Sequence, residues 1–108
     1  MPQIIIKGME LDKVKAISTS LVDELQQIIG CPRDYFTIEA VVSSFIMDGQ
    51  QTEISPLVEV KWFDRGQDVQ NRTAAAISRH IRSSGYSHAE TFFTVLENSK
   101  YYENETHY

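Results

Sequence analysis

The 108-residue chain carries 15 acidic against 10 basic residues, a net charge of −5, and a hydrophobic fraction of 42%. That is the size of one domain with a real core, and its acidic balance lacks the basic stripe of a nucleic-acid binder or of a protein that sits on anionic lipid. A single cysteine, Cys31, excludes an internal disulfide and a cysteine-built zinc site. No stretch approaches the ~20 apolar residues of a membrane span. Ile4, Ile5 and Ile6 are too short a run for a secretory signal. A cytoplasmic protein is the expectation, in which the sequons at Asn71 and Asn104 are chance.

Residues 3–7, Gln-Ile-Ile-Ile-Lys, are β-branched and short, and predict a strand that Gly8 ends. From Glu10 to Ile29 the residues Leu11, Val14, Ile17, Leu21, Leu25 and Ile28 recur at steps of three and four, the spacing of a helix with one buried stripe. Gly30 and Pro32 stop it. Phe36 to Val42 is rich in strand formers, and the patch Phe45-Ile46-Met47 runs into the turn signal Asp48-Gly49. Leu57 to Phe63 alternates, with Val58, Val60 and Trp62 on one face and Glu59 and Lys61 on the other, as a half-buried strand does. After the turn Asp64-Arg65-Gly66, a second helix is expected over residues 67–83, with Val69, Thr73, Ala76, Ile77, His80 and Ile81 along its stripe. The last strand is Glu90 to Leu96, and Asn98 to Tyr108 reads as a polar, tyrosine-rich tail.

The order is β-α-β followed by β-α-β. A helix between two strands implies a parallel pair and a right-handed crossover. Both helices then cover one face of a four-stranded mixed sheet, and residues 1–108 form a single domain. The other face carries several apolar or aromatic side chains, and a large apolar face calls for a partner. A homo-oligomer is therefore expected. The element order fits a ferredoxin-like fold and one other, and pattern alone does not separate them.

The other is the tautomerase superfamily, and the chain's ends and turns carry the resemblance. Met1-Pro2-Gln3-Ile4 resembles the start of tautomerases, which expose an N-terminal proline as their base. Gly30-Cys31-Pro32-Arg33-Asp34-Tyr35 is similar to the Gly-Lys-Pro-Pro-x-Tyr segment of the macrophage migration inhibitory factor branch, and Gln70-Asn71-Arg72 matches its Gln-Asn-Arg. The tail Asn98…Tyr102-Glu103-Asn104 is loosely similar to its C-terminus, and Trp62 to Gln67 resembles a bacterial branch of unassigned function. The resemblance spans nearly the whole chain. It implies an α/β (α+β) tautomerase-like fold, a homotrimer, no cofactor and no metal, and proton transfer on a small keto or unsaturated acid.

The chemistry of an N-terminal proline is direct. Once methionine is removed, its nitrogen is a rigid secondary amine, and burial beside cations lowers an amine's pKa. A base poised near the working pH takes a proton α to a carbonyl and returns it elsewhere. Pro2 is the candidate base. The superfamily's other site residues are replaced: its Gly-Lys-Pro lysine is Cys31, an arginine of the second strand is Glu39, and the last-strand tyrosine and asparagine fall near Thr91 and Phe93. Substitute roles are expected for Arg65, in a turn where it can hold a carboxylate bidentately, with Lys61 beside it. Tyr102 or Tyr101 is the candidate proton donor, the latter also a substrate contact. Lys7 and Glu39 are weaker candidates, for an anion contact and for activating water. His80, His88 and His107 lack metal-ligand spacing, His80 reads as structural, and Cys31 as a small packed residue. The alternative to an enzyme is an oligomeric ligand-binding or interaction protein on the same or a ferredoxin-like fold.

Overall fold

The computed structural model describes residues 1–108. Strand β1 (Gln3–Lys7) leads into helix α1 (Leu11–Ile29), strand β2 (Thr37–Val41), a hairpin of β3 (Phe45–Met47) and β4 (Gln50–Thr52), strand β5 (Leu57–Phe63), helix α2 (Gln67–Ser83) and strand β6 (Glu90–Leu96). The main sheet has the order β2-β1-β5-β6. Its outer pairs β1/β2 and β5/β6 are parallel and its central pair β1/β5 is antiparallel. Two β-α-β units thus meet back to back in one mixed sheet, as the element order implies.

Glu10 takes the extended N-cap conformation of α1, and Asp12 lies in the first turn, where the helix dipole favours acid. Gly30 closes the helix at φ 79°, its N–H donating to the Gln26 carbonyl, a backbone conformation that glycine adopts without steric cost. The stripe of α1, with Val14, Ile17, Leu21 and Leu25 buried, meets Thr73, Ala76, Ile77 and Ile81 of α2 over the sheet residues Ile4, Ile6, Val58, Val60 and Trp62. Trp62 is wholly buried, its ring 4.9 Å from that of Phe93. Strand alternation puts that set on the helix side. The face opposite is mixed: Ile5, Leu57, Phe63 and Phe92 alternate with Lys7, Glu39, Glu59 and Lys61, and Thr94 donates a hydrogen bond of 2.6 Å to Glu59. The apolar residues expected there are present, but charges interleave with them.

Two stretches hold more structure than their sequences suggest. The Phe45–Met47 patch pairs with Gln50–Thr52 through Asp48 and Gly49, both at positive φ (51° and 75°), the backbone of a tight primed turn. The tail forms a 3₁₀ turn (Asn98–Lys100) and a small hairpin of β7 (Tyr102–Glu103) and β8 (Thr106–His107), turned at Asn104 with φ 55°. No helix is long and apolar enough to cross a membrane.

The helices are also tied by charge. The Glu24 carboxylate accepts from Arg79 and from His80 Nε2, each at 2.8 Å, which accounts for the structural reading of His80. The hydrogen bonds from Arg79 and then His80 hold the Glu24 carboxyl below its usual range. A carboxyl depressed in the folded state stabilises above its unfolded pKa, and that stability is lost as pH falls through the folded value. Glu24→Gln should therefore lower the melting temperature by a few degrees at most near neutral pH, because the pair is largely exposed. Thermal melts from pH 7 to pH 3 should show the difference closing at the acid end.

Candidate active site

Pro2 lies at the start of β1, at the end of the sheet where β5 finishes and β2 begins. Gln3 stands opposite Lys61 on one side and Thr37 on the other. The Thr37 N–H donates to the Pro2 carbonyl at 3.1 Å, so the proline is fastened to β2 by its backbone. Its side chain is fully buried. With Met1 attached, the Pro2 nitrogen is a tertiary amide without a basic lone pair, and the free amine lies one residue further out. That amine titrates below its ordinary value, first through burial and then through the Arg65 guanidinium, while Cys31 acts in the opposite direction.

Arg65 follows β5 in the turn before α2. Asp64 Oδ1 accepts the Gly66 N–H at 2.9 Å, and Gly66 adopts φ 88°, which turns the chain sharply into the helix. Asp64 is thereby used by the backbone, and Arg65 makes no ion pair. Its Nε is buried without a hydrogen-bond partner. By contrast Arg33, Arg72 and Arg79 are paired with Asp23, Asp68 and Glu24. A buried donor left unpaired in a native protein calls for an explanation, and Trp62 Nε1 and Thr73 Oγ1 are in the same condition. Lys61 stands on the mixed face of β5, across from Gln3.

The tail roofs the same end. Tyr101 packs edge-on to Phe63 at 5.5 Å between ring centroids, and Tyr108 stacks on Phe63 at 5.7 Å and lies 4.9 Å from Tyr101. The Tyr108 N–H donates to the Tyr101 carbonyl at 2.9 Å. The Tyr108 phenol is raised by burial first, then by Glu103 and by Tyr101 and Tyr35 nearby. Phe63 stands two residues before Arg65, so the aromatic cluster braces the loop that carries the guanidinium. Tyr102 points elsewhere: it is exposed and packs edge-on against His107 at 5.7 Å.

The structure thus brings Pro2, Arg65, Lys61 and Tyr101 to one end of the sheet. Lys7 ends β1 at the far end, beside Leu57, Glu59 and Phe92, and Glu39 pairs in register with Ile5 on the mixed face. Cys31, buried in the α1–β2 connection, lies near enough to act on the N-terminal amine. Its place in the Gly-Lys-Pro-like segment was the signal for that position, although the residue type pointed only to packing. Tyr35 belongs to that same segment, whereas Tyr108 carried no comparable signal, because its contacts depend on how the tail folds. A cavity of about 550 Å³ lies at the opposite end, between the start of α1 and the β3–β4 hairpin. No cluster of His, Cys, Asp and Glu is arranged to hold a metal ion.

A family model described as a domain of unknown function, DUF1904, matches residues 1–107. No protein of curated function matches the chain. Among solved structures, the DUF1904 domain from Sebaldella termitidis ATCC 33386 is 33% identical over the whole of both chains, with a TM-score of 0.93. The macrophage migration inhibitory factor-like protein of Entamoeba histolytica is 16% identical over 99% of this chain and 98% of its own, at TM-score 0.72. A wild-type fused 4-OT described as an asymmetric trimer is 12% identical over 97% and 94%, at TM-score 0.79. At those last identities the likeness is one of fold, and the fold is that of tautomerase-superfamily structures.

Proposed function

The chain belongs to the DUF1904 family, and from that premise we propose that it is a cytoplasmic, homotrimeric proton-transfer enzyme of tautomerase type, in which Pro2 is the base. Removal of Met1 frees the Pro2 nitrogen one residue inward from an amine that burial, and then Arg65, depress. The substrate is a small keto or unsaturated acid. Its carboxylate takes the unpaired Arg65, with Lys61 adding positive charge, and its α-carbon faces Pro2. The amine removes the α-proton, the enolate oxygen is met by the phenol of Tyr101, and the proton returns to another carbon. Tyr102 remains the second candidate donor, and Tyr102→Phe should leave turnover unchanged if Tyr101 holds the role.

The observation that carries this reading is the buried, unpartnered Nε of Arg65 beside the N-terminal amine. The fused 4-OT's trimeric form supports the self-association. The competing reading, an oligomeric binding protein without catalysis, draws on Cys31 and Glu39 where the superfamily resemblance implies cations.

Proton exchange tests the proposal. Small 2-oxo acids in deuterated water should lose their α-proton signal faster with the Met1-free protein than in buffer. Arg65→Ala should raise KM by ~10- to 100-fold, the worth of a charged hydrogen bond of about 1.5–3 kcal/mol, and Arg65→Lys should restore part of it. No exchange above the buffer rate across a panel of such acids would favour the binding protein.

A further inference from the structure

The cavity of about 550 Å³ between the start of α1 and the β3–β4 hairpin has the size of a small-molecule site. Its walls are pinned on both sides. The Tyr86 hydroxyl accepts the Glu10 N–H at 3.0 Å, and Lys13 Nζ lies 4.7 Å from the centre of the Tyr86 ring. These contacts fasten the chain after α2 to the first turn of α1. Across the cavity, Gln51 Nε2 donates to Ser44 Oγ at 3.4 Å and ties β4 to the segment that follows β2. Gly8, at φ 78°, lets the chain leave β1 close against Ile54, where a Cβ would stand 3.1 Å from Ile54 Cγ1.

Half of the fourteen lining residues are apolar, and several of them still have surface to cover. Leu11 is 46%, Val42 82% and Ile54 37% exposed. Phe45 and Tyr86 add aromatic rings to the wall.

The charge of the lining has one sign. Glu10 and Glu53 are its only charged residues, and neither carboxylate takes part in an ion pair, whereas Asp23, Glu24, Asp68 and Glu97 are matched with Arg33, Arg79, Arg72 and Lys100. Glu10 stands at the N-cap of α1, yet its side chain makes no capping hydrogen bond. Lys13, one turn into the helix, is engaged by the Tyr86 ring and not by either glutamate.

We propose that this cavity binds a small primary amine with an apolar, aromatic-sized body. The carboxylates of Glu10 and Glu53 hold the ammonium, and Phe45, Tyr86 and Leu11 cover the body. An anion is disfavoured, because it would face two carboxylates with no lining cation to offset them. A wholly apolar ligand would leave both carboxylates unused. The site lies at the other end of the sheet from Pro2, and the inference makes no use of the proton-transfer reading.

Amide NMR shifts, titrated at neutral pH with phenethylamine, phenethyl alcohol and phenylacetate, test the proposal. The three probes share one ring and differ in charge. Phenethylamine should shift the amides of residues 8–11, 43–45 and 51–54. It should bind ~3- to 10-fold more tightly than the alcohol, the worth of partly exposed ion pairs, and phenylacetate should bind most weakly. Added salt should shrink the amine's advantage. In Glu10→Gln/Glu53→Gln that advantage should vanish while the affinity for the alcohol stays the same. An amine that binds no more tightly than the alcohol, shifts confined to other residues, or no shift with any probe would overturn the proposal. So would a double variant that keeps the preference. The wild-type comparison of amine with alcohol decides the matter even if the double variant fails to fold.

Discussion

Protein that retains Met1, or that carries one added residue ahead of Pro2, should exchange the α-protons of its substrate ~10²- to 10⁴-fold more slowly than protein trimmed to Pro2, the usual worth of a positioned base. The physical reason is that acylation turns a secondary amine into an amide with no basic lone pair. The fold itself should not change. Pro2 is held through its carbonyl by the Thr37 N–H, and that bond survives either way. Rates measured on the two forms, separated and identified by intact mass, check this directly. Equal rates would place the chemistry elsewhere.

Trp62→Ala should cost about 3–5 kcal/mol, a large part of the roughly 5–15 kcal/mol that holds a domain together. The indole is completely enclosed between the sheet and the helices and packs on Phe93. Truncation leaves a cavity at the centre of the core. Trp62→Phe should cost much less, because the buried Nε1 has no hydrogen-bond partner to lose. Urea titration of the three proteins, followed by circular dichroism, would show a large shift in midpoint for the alanine variant and a small one for phenylalanine. An alanine variant of near wild-type stability would contradict the packing described.

The main layers were legible because their residues repeat at the two periods of regular structure. The step of three and four through Val14, Ile17, Leu21 and Leu25 predicts the buried stripe of α1, and the alternation at Val58, Val60 and Trp62 predicts the buried face of β5. The two hairpins were less visible. Phe45–Met47 and Tyr102–Glu103 are too short for alternation to register, and their pairing depends on Asp48 and Asn104 taking positive φ.

The candidate site divides in the same way. A resemblance singled out Pro2 and a turn singled out Arg65, and the Arg65 guanidinium lies near enough to act on the amine of Met1, the residue before Pro2. What sequence could not supply was the partnership around them. Asp64, next to Arg65, is a plausible ion-pair partner by sequence, yet it caps the Gly66 N–H and leaves the guanidinium unmatched. Tyr101 and Tyr102 are adjacent and alike in type. Only the tail hairpin decides that the first packs on Phe63 and the second on His107. Cys31 is a buried small residue by any pattern, and only the fold shows that it lies near enough to act on the Met1 amine.

The most direct test of the account is an NMR titration of the Pro2 nitrogen in 15N-labelled, Met1-free protein. The account predicts a pKa well below that of an unperturbed secondary amine, rising toward the ordinary value in Arg65→Ala as the neighbouring cation is removed. A free Pro2 that titrates as an unperturbed amine, in both proteins alike, would contradict it.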